Sequence, residues 1–417
     1  MKNKINYQIN RDAVKFILSQ GISVLGSSVV NFSIIWYLVL KTSSSYILTI
    51  TILCTYIPQA LIALGLSHIG DRYNKKVLII IGDIITAFVT LLLYIMISKG
   101  YDSLKYIYIT CVLRSFGAGI QLPMVNSFLP NICDNSELKK VNSLNSTVNS
   151  LIQLVSPGIG GVILATFGFK GSLLIDVLTA IISILILSKI KYKILQENNT
   201  GDKIFNARDI YDVWKHIKKS TILNRLIVFC VLFNFFVSIP AFFTPILVSQ
   251  VYVGSIMKLT LNETMWSVGT LVGGVLLFFA KNNTIKKYAV TIKEAVIVFG
   301  LSIFLLGVVS NFILYLIILF VSGVAMTLYS TLNNIIIQSI TSERYIGRVF
   351  SVIQTIISVA TPFGIIILGM LSEYMGIRFV MSLSGIFIII GVLFSKYWEE
   401  TRKYILLKEM LSIYMSA

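Results

Sequence analysis

Four ionisable side chains stand inside or beside long apolar runs of this 417-residue chain: Asp83, Arg114, Asp176 and Glu263. Ionisable groups are costly within a bilayer and usually face a partner or a water-filled path. A carboxyl group takes up a proton more readily in apolar surroundings and releases it more readily beside an arginine. Alternation between such surroundings would move protons, so we predict that these four residues couple proton flow to another process. The alternative is a static pair between Arg114 and an acid that holds helices together.

A short charged turn at residues 67–76 joins two of the apolar runs, and it contains Asp71, Arg72, Lys75 and Lys76. A carboxylate at the end of one helix can accept hydrogen bonds from the N-terminal amides of a facing helix. Such a bond exists in only one conformation, which predicts a conformational latch at Asp71. For the lysines, the alternative is that they only mark the cytoplasmic side of a membrane.

The elements that must position these groups are transmembrane helices. The composition is 56% hydrophobic and 13% charged, and the mean hydropathy is +0.85. About 20 apolar residues are needed to cross a bilayer as a helix. We predict an all-α integral membrane protein with twelve spans, at residues 13–40, 46–67, 77–98, 104–128, 141–166, 171–190, 224–249, 262–281, 288–309, 311–334, 348–372 and 377–397.

The distribution of positive charge predicts the orientation. The formal net charge of +17 could indicate a nucleic-acid partner, but most of the 35 lysines and arginines fall on one side of the predicted spans. The exceptions are Arg114 within a span and six residues in the opposite connections: Lys41, Lys99, Lys105, Lys170, Lys258 and Arg378. Positive charge accumulates on the cytoplasmic side, so we expect both termini there.

The longest hydrophilic interval divides the chain into two halves of six spans each. We predict an N-terminal half at 1–190, a linker at 191–223, a C-terminal half at 224–398 and a cytoplasmic tail at 399–417. Within the linker, Ile210, Val213, Trp214 and Ile217 follow helical spacing, which predicts an amphipathic helix on the membrane surface.

The charged turn resembles motif A of the major facilitator superfamily, which connects helices two and three. This resemblance implies a fold of two six-helix halves and a latch in which Asp71 contacts the start of helix eleven, here at Gly347 and Arg348. Ser67 and Asn74 replace the two glycines of the motif. The asparagine is a mild change because it tolerates left-handed backbone.

The fifth span carries a second resemblance, to motif C of exporters in that superfamily. Pro157 removes a backbone hydrogen bond, while Gly158, Gly160 and Gly161 permit close packing with a neighbour. The resemblance implies a hinge and favours export, and the alternative is packing alone. Residues 114–119 resemble motif B, and nearly the whole chain resembles the macrolide-efflux-like branch of drug exporters.

Seven polar or aromatic residues at mid-span depth are candidates to line a substrate cavity, although aromatic residues in spans often serve packing instead. They are Asn31, Trp36, Gln153, Asn234, Trp266, Gln338 and Gln354.

The resulting prediction is a secondary transporter rather than an enzyme. The P-loop pattern G-x-x-x-x-G-K-[ST] does not occur in the sequence, so the drive must be an ion gradient or the substrate's own gradient. The resemblance implies export of amphipathic, macrolide-like molecules by proton antiport. A dedicated siderophore or metabolite exporter, a nutrient uptake symporter, and a receptor or scaffold are the alternatives.

We expect membrane lipid, a small-molecule substrate and protons as partners. We expect no cofactor, no metal site and no nucleic-acid partner. The protein is expected to act as a monomer in the plasma membrane of a bacterium.

Overall fold

A computed structural model describes residues 10–66, 73–133, 137–190, 220–279, 285–341 and 346–395, without the side chains at 64, 66, 285–290, 347 and 348. Within these ranges the chain forms twelve α-helices and a short 3-10 turn. The helices are α1 (Arg11–Thr42), α2 (Ser45–Leu66), α3 (Lys75–Ser98), α4 (Leu104–Phe128), α5 (Leu138–Ser188), α6 (Thr221–Phe242), α7 (Thr244–Val251), α8 (Ile256–Phe279), α9 (Ile285–Val308), α10 (Phe312–Ile340), α11 (Ile346–Met375) and α12 (Ile377–Phe394). The predicted linker helix at 210–217 and the tail at 399–417 lie outside the described residues.

Nine helices in the described part of the chain are long and apolar enough to span a membrane. One of them, α5, has 51 residues and contains a break at Gly168, where φ is 67° and ψ is −176°. Glycine adopts this conformation because it lacks a Cβ atom. The break divides α5 into two arms that correspond to the predicted fifth and sixth spans.

The predicted span at 224–249 is not one continuous helix. It is interrupted at Phe243, which ends α6 and begins α7. Pro245 occupies the first turn of α7, a position where its missing amide hydrogen causes no loss of a helical bond. A continuous helix would leave the Ala241 carbonyl without an amide hydrogen from residue 245, because that residue is a proline, so the interruption has a local cause.

Two compact units make up the described structure. The first contains the described residues of Met1–Thr42, Ile50–Asn198 and Ser255–Thr260. Within it α1 packs along α5, and α3 packs against α4. One end has an apolar core in which the rings of Phe16 and Phe128 lie 5.1 Å apart.

Near the other end of this unit, Asp102 precedes α4 and accepts hydrogen bonds from Lys41 and from the Tyr37 hydroxyl, the latter at 2.6 Å. The hydrogen bond from Lys41, followed by that from Tyr37, lowers the pKa of Asp102 below its ordinary value. This exposed pair connects the end of α1 to the start of α4.

The second unit contains the described residues of Ser43–Thr49, Asn199–Gly254 and Leu261–Ala417. Within it α9 packs against α10 and α12, and α11 packs against α6. The first turn of α2 belongs to this unit. There the Glu373 carboxylate accepts hydrogen bonds from the Ser44 hydroxyl at 3.0 Å and the Tyr46 amide at 3.1 Å. Glu373, near the end of α11, therefore caps the N-terminus of α2.

Candidate transport site

The first unit contains a buried ion pair between Arg114 of α4 and Asp176 of the second arm of α5. Their side chains are 7% and 2% exposed. The Ser27 hydroxyl donates to Oδ1 of Asp176 at 2.9 Å, and the Thr90 hydroxyl donates to Oδ2 at 3.0 Å. Arg114 also contacts Thr90. A buried charge is tolerated when it is paired and hydrogen-bonded, and both oxygens of Asp176 meet that condition.

Asp83 of α3 forms a second buried network in the same unit. It is 0% exposed and accepts hydrogen bonds from Ser23 of α1 and Gln121 of α4, each at 2.7 Å. Ser183 of α5 donates to its other oxygen at 3.3 Å. All three donors are neutral, and no described cation forms a salt bridge with Asp83. The two buried acids of this unit therefore differ, since only Asp176 has a counter-ion.

Glu263 lies in α8, in the second unit, beside a network centred on Asn262. The Asn262 side-chain amide donates to Glu263 at 3.1 Å and to the Thr244 hydroxyl at 3.2 Å. The Tyr315 hydroxyl donates to the Asn262 carbonyl at 2.5 Å. Among the described residues, the hydrogen-bond partner of Glu263 is thus a single neutral amide.

A cavity of about 240 Å³ opens in the first unit, among side chains of α1, α2, α3, α4 and α5. Arg114 lines it, as does Asn31, one of the predicted cavity residues. Gln121 also lines it and joins its wall to Asp83. The cavity is therefore in contact with both buried networks.

The six other predicted cavity residues lie elsewhere. Trp36 is 0% exposed, and its ring lies 5.4 Å from that of Phe32. Asn234 donates to the backbone of its own helix at 2.8 Å, and Trp266 is half-buried with its ring 6.5 Å from that of Phe299. The remaining three are exposed: Gln153, Gln338 and Gln354.

Sequence reasoning missed the polar residues that surround the acids and the cavity. A signal was present in α1, where Gln20, Ser27 and Asn31 recur at intervals of seven and four residues, which is the spacing of one helical face. Asn145 and Asn149 of α5 are likewise four residues apart and line the same cavity.

The latch prediction lies partly outside the described structure. Asp71 and Arg72 are not among the described residues, and Gly347 and Arg348 are described only as backbone in the first turn of α11. The latch formed by Asp71 and Arg72 with the start of α11 therefore stays a prediction. Lys76 donates instead to the Ser188 and Ile190 carbonyls at 2.8 and 3.0 Å, at the C-terminal end of α5.

A lysine at a helix C-terminus is favourable because the unpaired carbonyls carry partial negative charge. Lys76 therefore has a structural contact that neither interpretation of the motif anticipated, and Lys75 occupies the first turn of α3. Asn74 has φ of −66° and ψ of 107°, and its side chain accepts from the Lys76 amide at 3.1 Å. It is an extended N-cap rather than a left-handed residue.

The Pro157 segment lies in the first arm of α5 and approaches two neighbours within the first unit. A Cβ atom added at Gly160 would lie 3.7 Å from Val29 of α1. One added at Gly161 would overlap Thr260, with Thr260 Cβ only 2.9 Å away. Gly158 faces open space, since no atom outside its own helix lies within 4 Å. A Cβ atom at Gly160 would make an ordinary van der Waals contact, so Gly161 is the one of these three glycines that permits a closer approach.

Long apolar helices, buried acids and a polar cavity within one helical unit are typical of a multi-span membrane transporter. Comparison of the sequence with known protein families identifies the family of this transporter. The chain belongs to the transmembrane secretion effector family, whose model matches residues 12–402.

Relatives of similar length include macrolide efflux protein A of Streptococcus pyogenes. It is 24% identical over 392 residues, which are 92% of this chain and 95% of that protein. The staphyloferrin A transporter of Staphylococcus aureus is 21% identical over 378 residues, which are 89% and 92% of the two chains. The predicted resemblance to the macrolide-efflux-like branch is confirmed.

Solved structures with the same fold include the nucleoside transporter NupG, with a TM-score of 0.74, 12% identity and coverage of 94% of this chain and 100% of that one. A bacterial homologue of the human lysosomal transporter Spinster has a TM-score of 0.69, 14% identity and coverage of 95% and 97%. At such identities these structures show the fold alone, and they confirm the predicted fold class.

Proposed function

We propose that this transporter exports amphipathic, natural-product-sized molecules by alternating access, in exchange for protons. The observation that carries the proposal is the 2.7 Å hydrogen bond between Gln121 and Asp83, which connects a buried carboxylate to the cavity wall. The similarity to macrolide efflux protein A supports export of a macrolide-like molecule.

Asp83 is the best candidate to carry the exchanged proton. Ionised Asp83 accepts a hydrogen bond from the Gln121 amide group. Protonated Asp83 would itself become a donor to the Gln121 carbonyl oxygen, which would leave the amide group of Gln121, in place of its carbonyl, for the cavity. Proton binding and substrate binding are then coupled through one side chain. The counter-ion of Asp176 favours a static role for that pair, which matches the alternative that the sequence left open.

The proposal is tested in everted membrane vesicles that carry an imposed pH gradient. Erythromycin should collapse the gradient with the unaltered protein and fail to do so with Asp83→Asn, which keeps the shape of the side chain. Asp176→Asn and Glu263→Gln are the matched comparisons, and we expect both to retain coupling. A gradient unaffected by macrolides and by other amphipathic probes in the unaltered protein would remove proton antiport.

Export of a siderophore is the second candidate, because the staphyloferrin A transporter is similar over most of its length. The same vesicles distinguish the two candidates when a carboxylate siderophore replaces erythromycin. Collapse of the gradient by the siderophore alone would favour the second function.

The latch at Asp71 and the cytoplasmic position of both termini belong to the same proposal. Asp71→Asn should lower the transport rate while the amount of folded protein stays unchanged, and wild-type transport by this variant would refute the latch. Labelling of a cysteine introduced at residue 200 should occur in everted vesicles and be absent in intact cells if the linker is cytoplasmic.

A further inference from the structure

The cavity of the first unit is lined by seven carboxamide side chains. Five of them come from four different helices, and none forms a side-chain hydrogen bond with another described residue: Asn31, Gln59, Asn126, Asn145 and Asn149. Each carboxamide offers two donor hydrogens and an acceptor oxygen. Five free amides that converge on one space are capable of binding a molecule with several adjacent donors and acceptors.

Gln20 provides an independent indication of a ligand. It lines the same cavity, it is 3% exposed, and its carbonyl accepts from Gln121 at 3.1 Å. Its Nε2 atom is buried and has no partner among the described residues. Buried donors are rarely left unpaired, because the lost hydration is not recovered. Rotation of the Gln20 side chain toward the cavity that it lines would let a ligand acceptor satisfy this group.

The charge of the lining restricts what binds. No carboxylate lines the cavity, so a cationic group would find no counter-ion there. Arg114 is the single charged side chain in the lining, and Asp176 neutralises it. An anionic group would therefore compete with Asp176 for that cation. The wall matches an uncharged group whose polarity comes from hydroxyl and carbonyl oxygens.

The size of the cavity restricts the group further. Pockets that enclose drug-sized ligands have volumes of roughly 300–1,000 Å³, and this cavity measures about 240 Å³. We propose that it binds an uncharged, hydroxyl-rich group about as large as one sugar ring, carried by the exported molecule. This inference rests on the proposed export function and specifies that the exported compound carries an uncharged sugar or another polyhydroxylated group.

Three probes with the same octyl tail and different head groups test this assignment. The full chain in lipid nanodiscs is titrated with tritiated n-octyl-β-D-glucoside below its micellar concentration, and empty nanodiscs are subtracted. Octyltrimethylammonium and octyl sulfate then compete for the site. We expect saturable binding of the glucoside and competition at least about tenfold weaker by either charged probe than by unlabelled glucoside.

Substitutions in α5 supply the matched controls. Asn145→Leu combined with Asn149→Leu should weaken glucoside binding by about tenfold, since two hydrogen bonds are lost. Asn142→Leu should leave it unchanged, because Asn142 is exposed on the same helix and does not line the cavity. Asn149→Asp should weaken glucoside binding and improve competition by octyltrimethylammonium, whereas Asn142→Asp should do neither.

The Asn149→Asp variant, which introduces a negative charge, keeps the test valid if the leucine variants do not fold. Tighter binding of either charged probe, unchanged binding in the Asn145 and Asn149 variants, or no saturable binding of the glucoside would each overturn the assignment. Proton-coupled export with a preference for charged head groups would refute this inference alone. Intact glucoside binding without substrate-dependent proton movement would refute the export mechanism and leave the cavity assignment standing.

Discussion

The closest approach in the first arm of α5 allows a sharp prediction about packing. Gly161→Ala would place a Cβ atom in overlap with the Thr260 hydroxyl oxygen and 2.9 Å from Thr260 Cβ. Rotation of the side chain could move the hydroxyl but not Cβ, and β-branched residues in helices have restricted χ1 angles. The helices must therefore separate, and such overpacking costs about 1–3 kcal/mol.

Gly158→Ala is a matched control within the same helix, because no atom outside that helix lies within 4 Å of the added Cβ. Both substitutions raise the unfolding free energy by roughly 1 kcal/mol, because alanine has a higher helix propensity than glycine. The difference in unfolding free energy between the two variants therefore isolates the overpacking, and we expect Gly161→Ala to be less stable than Gly158→Ala by about 1–3 kcal/mol.

The assay is reversible denaturant unfolding of the purified protein in detergent micelles, completed as a double-mutant cycle with Thr260→Ala. Removing the Thr260 side chain beyond Cβ should restore part of the stability of Gly161→Ala, with a coupling energy of at least about 0.5 kcal/mol. Equal stability of the two alanine variants, together with zero coupling to Thr260, would refute the reasoning.

Three further predictions concern charged groups. Arg114→Met should lower the unfolding free energy, measured with denaturant, by about 3–5 kcal/mol, because it leaves Asp176 buried without a counter-ion. Adding Asp176→Asn should recover much of the lost stability. Glu373→Ala should lower the unfolding free energy by about 0.5–2 kcal/mol through loss of the cap on α2, and Glu373→Gln should lower it less. The measurement is amide hydrogen exchange in the first turn of α2, and exchange rates that do not change in Glu373→Ala would contradict the prediction. The pKa of Asp102 is lowered in the folded state, so its bond with Lys41 stabilises the fold above the unfolded-state pKa of about 4 and is lost as pH falls through the lower folded-state pKa. In thermal unfolding, the difference in stability between the unaltered protein and Asp102→Asn should therefore shrink below about pH 4. A difference that stays constant with pH would contradict this.

Much of the architecture was predictable because its signals are local. The apolar runs located the helices that the structure describes, and the glycine at 168 coincides with the gap between two predicted spans. The interruption at Phe243 was missed, although Pro245 signalled it, because the surrounding run is uniformly apolar. Hydropathy measures how well a segment suits the bilayer and does not register a single broken turn.

The site was predictable in residue type but not in arrangement. Arg114 and the acids were recognised because charges are rare in apolar runs. The sequence did not indicate that Arg114 pairs with Asp176 while Asp83 is bound by neutral donors. It also gave too much weight to Trp36, which is fully buried, since an aromatic side chain suits a cavity wall and a packed core equally.

The sequence alone determined the membrane class, the helices and the family, because these depend on the length of apolar runs and on short motifs. Tertiary structure alone decided which polar side chains share a space. Gln20, Gln59, Gln121 and Asn149 stand on four helices and are separated by up to 129 residues, yet they line one cavity. Their convergence depends on the rotation of each helix about its axis, and that rotation is fixed by the packing of whole helix faces rather than by any local segment.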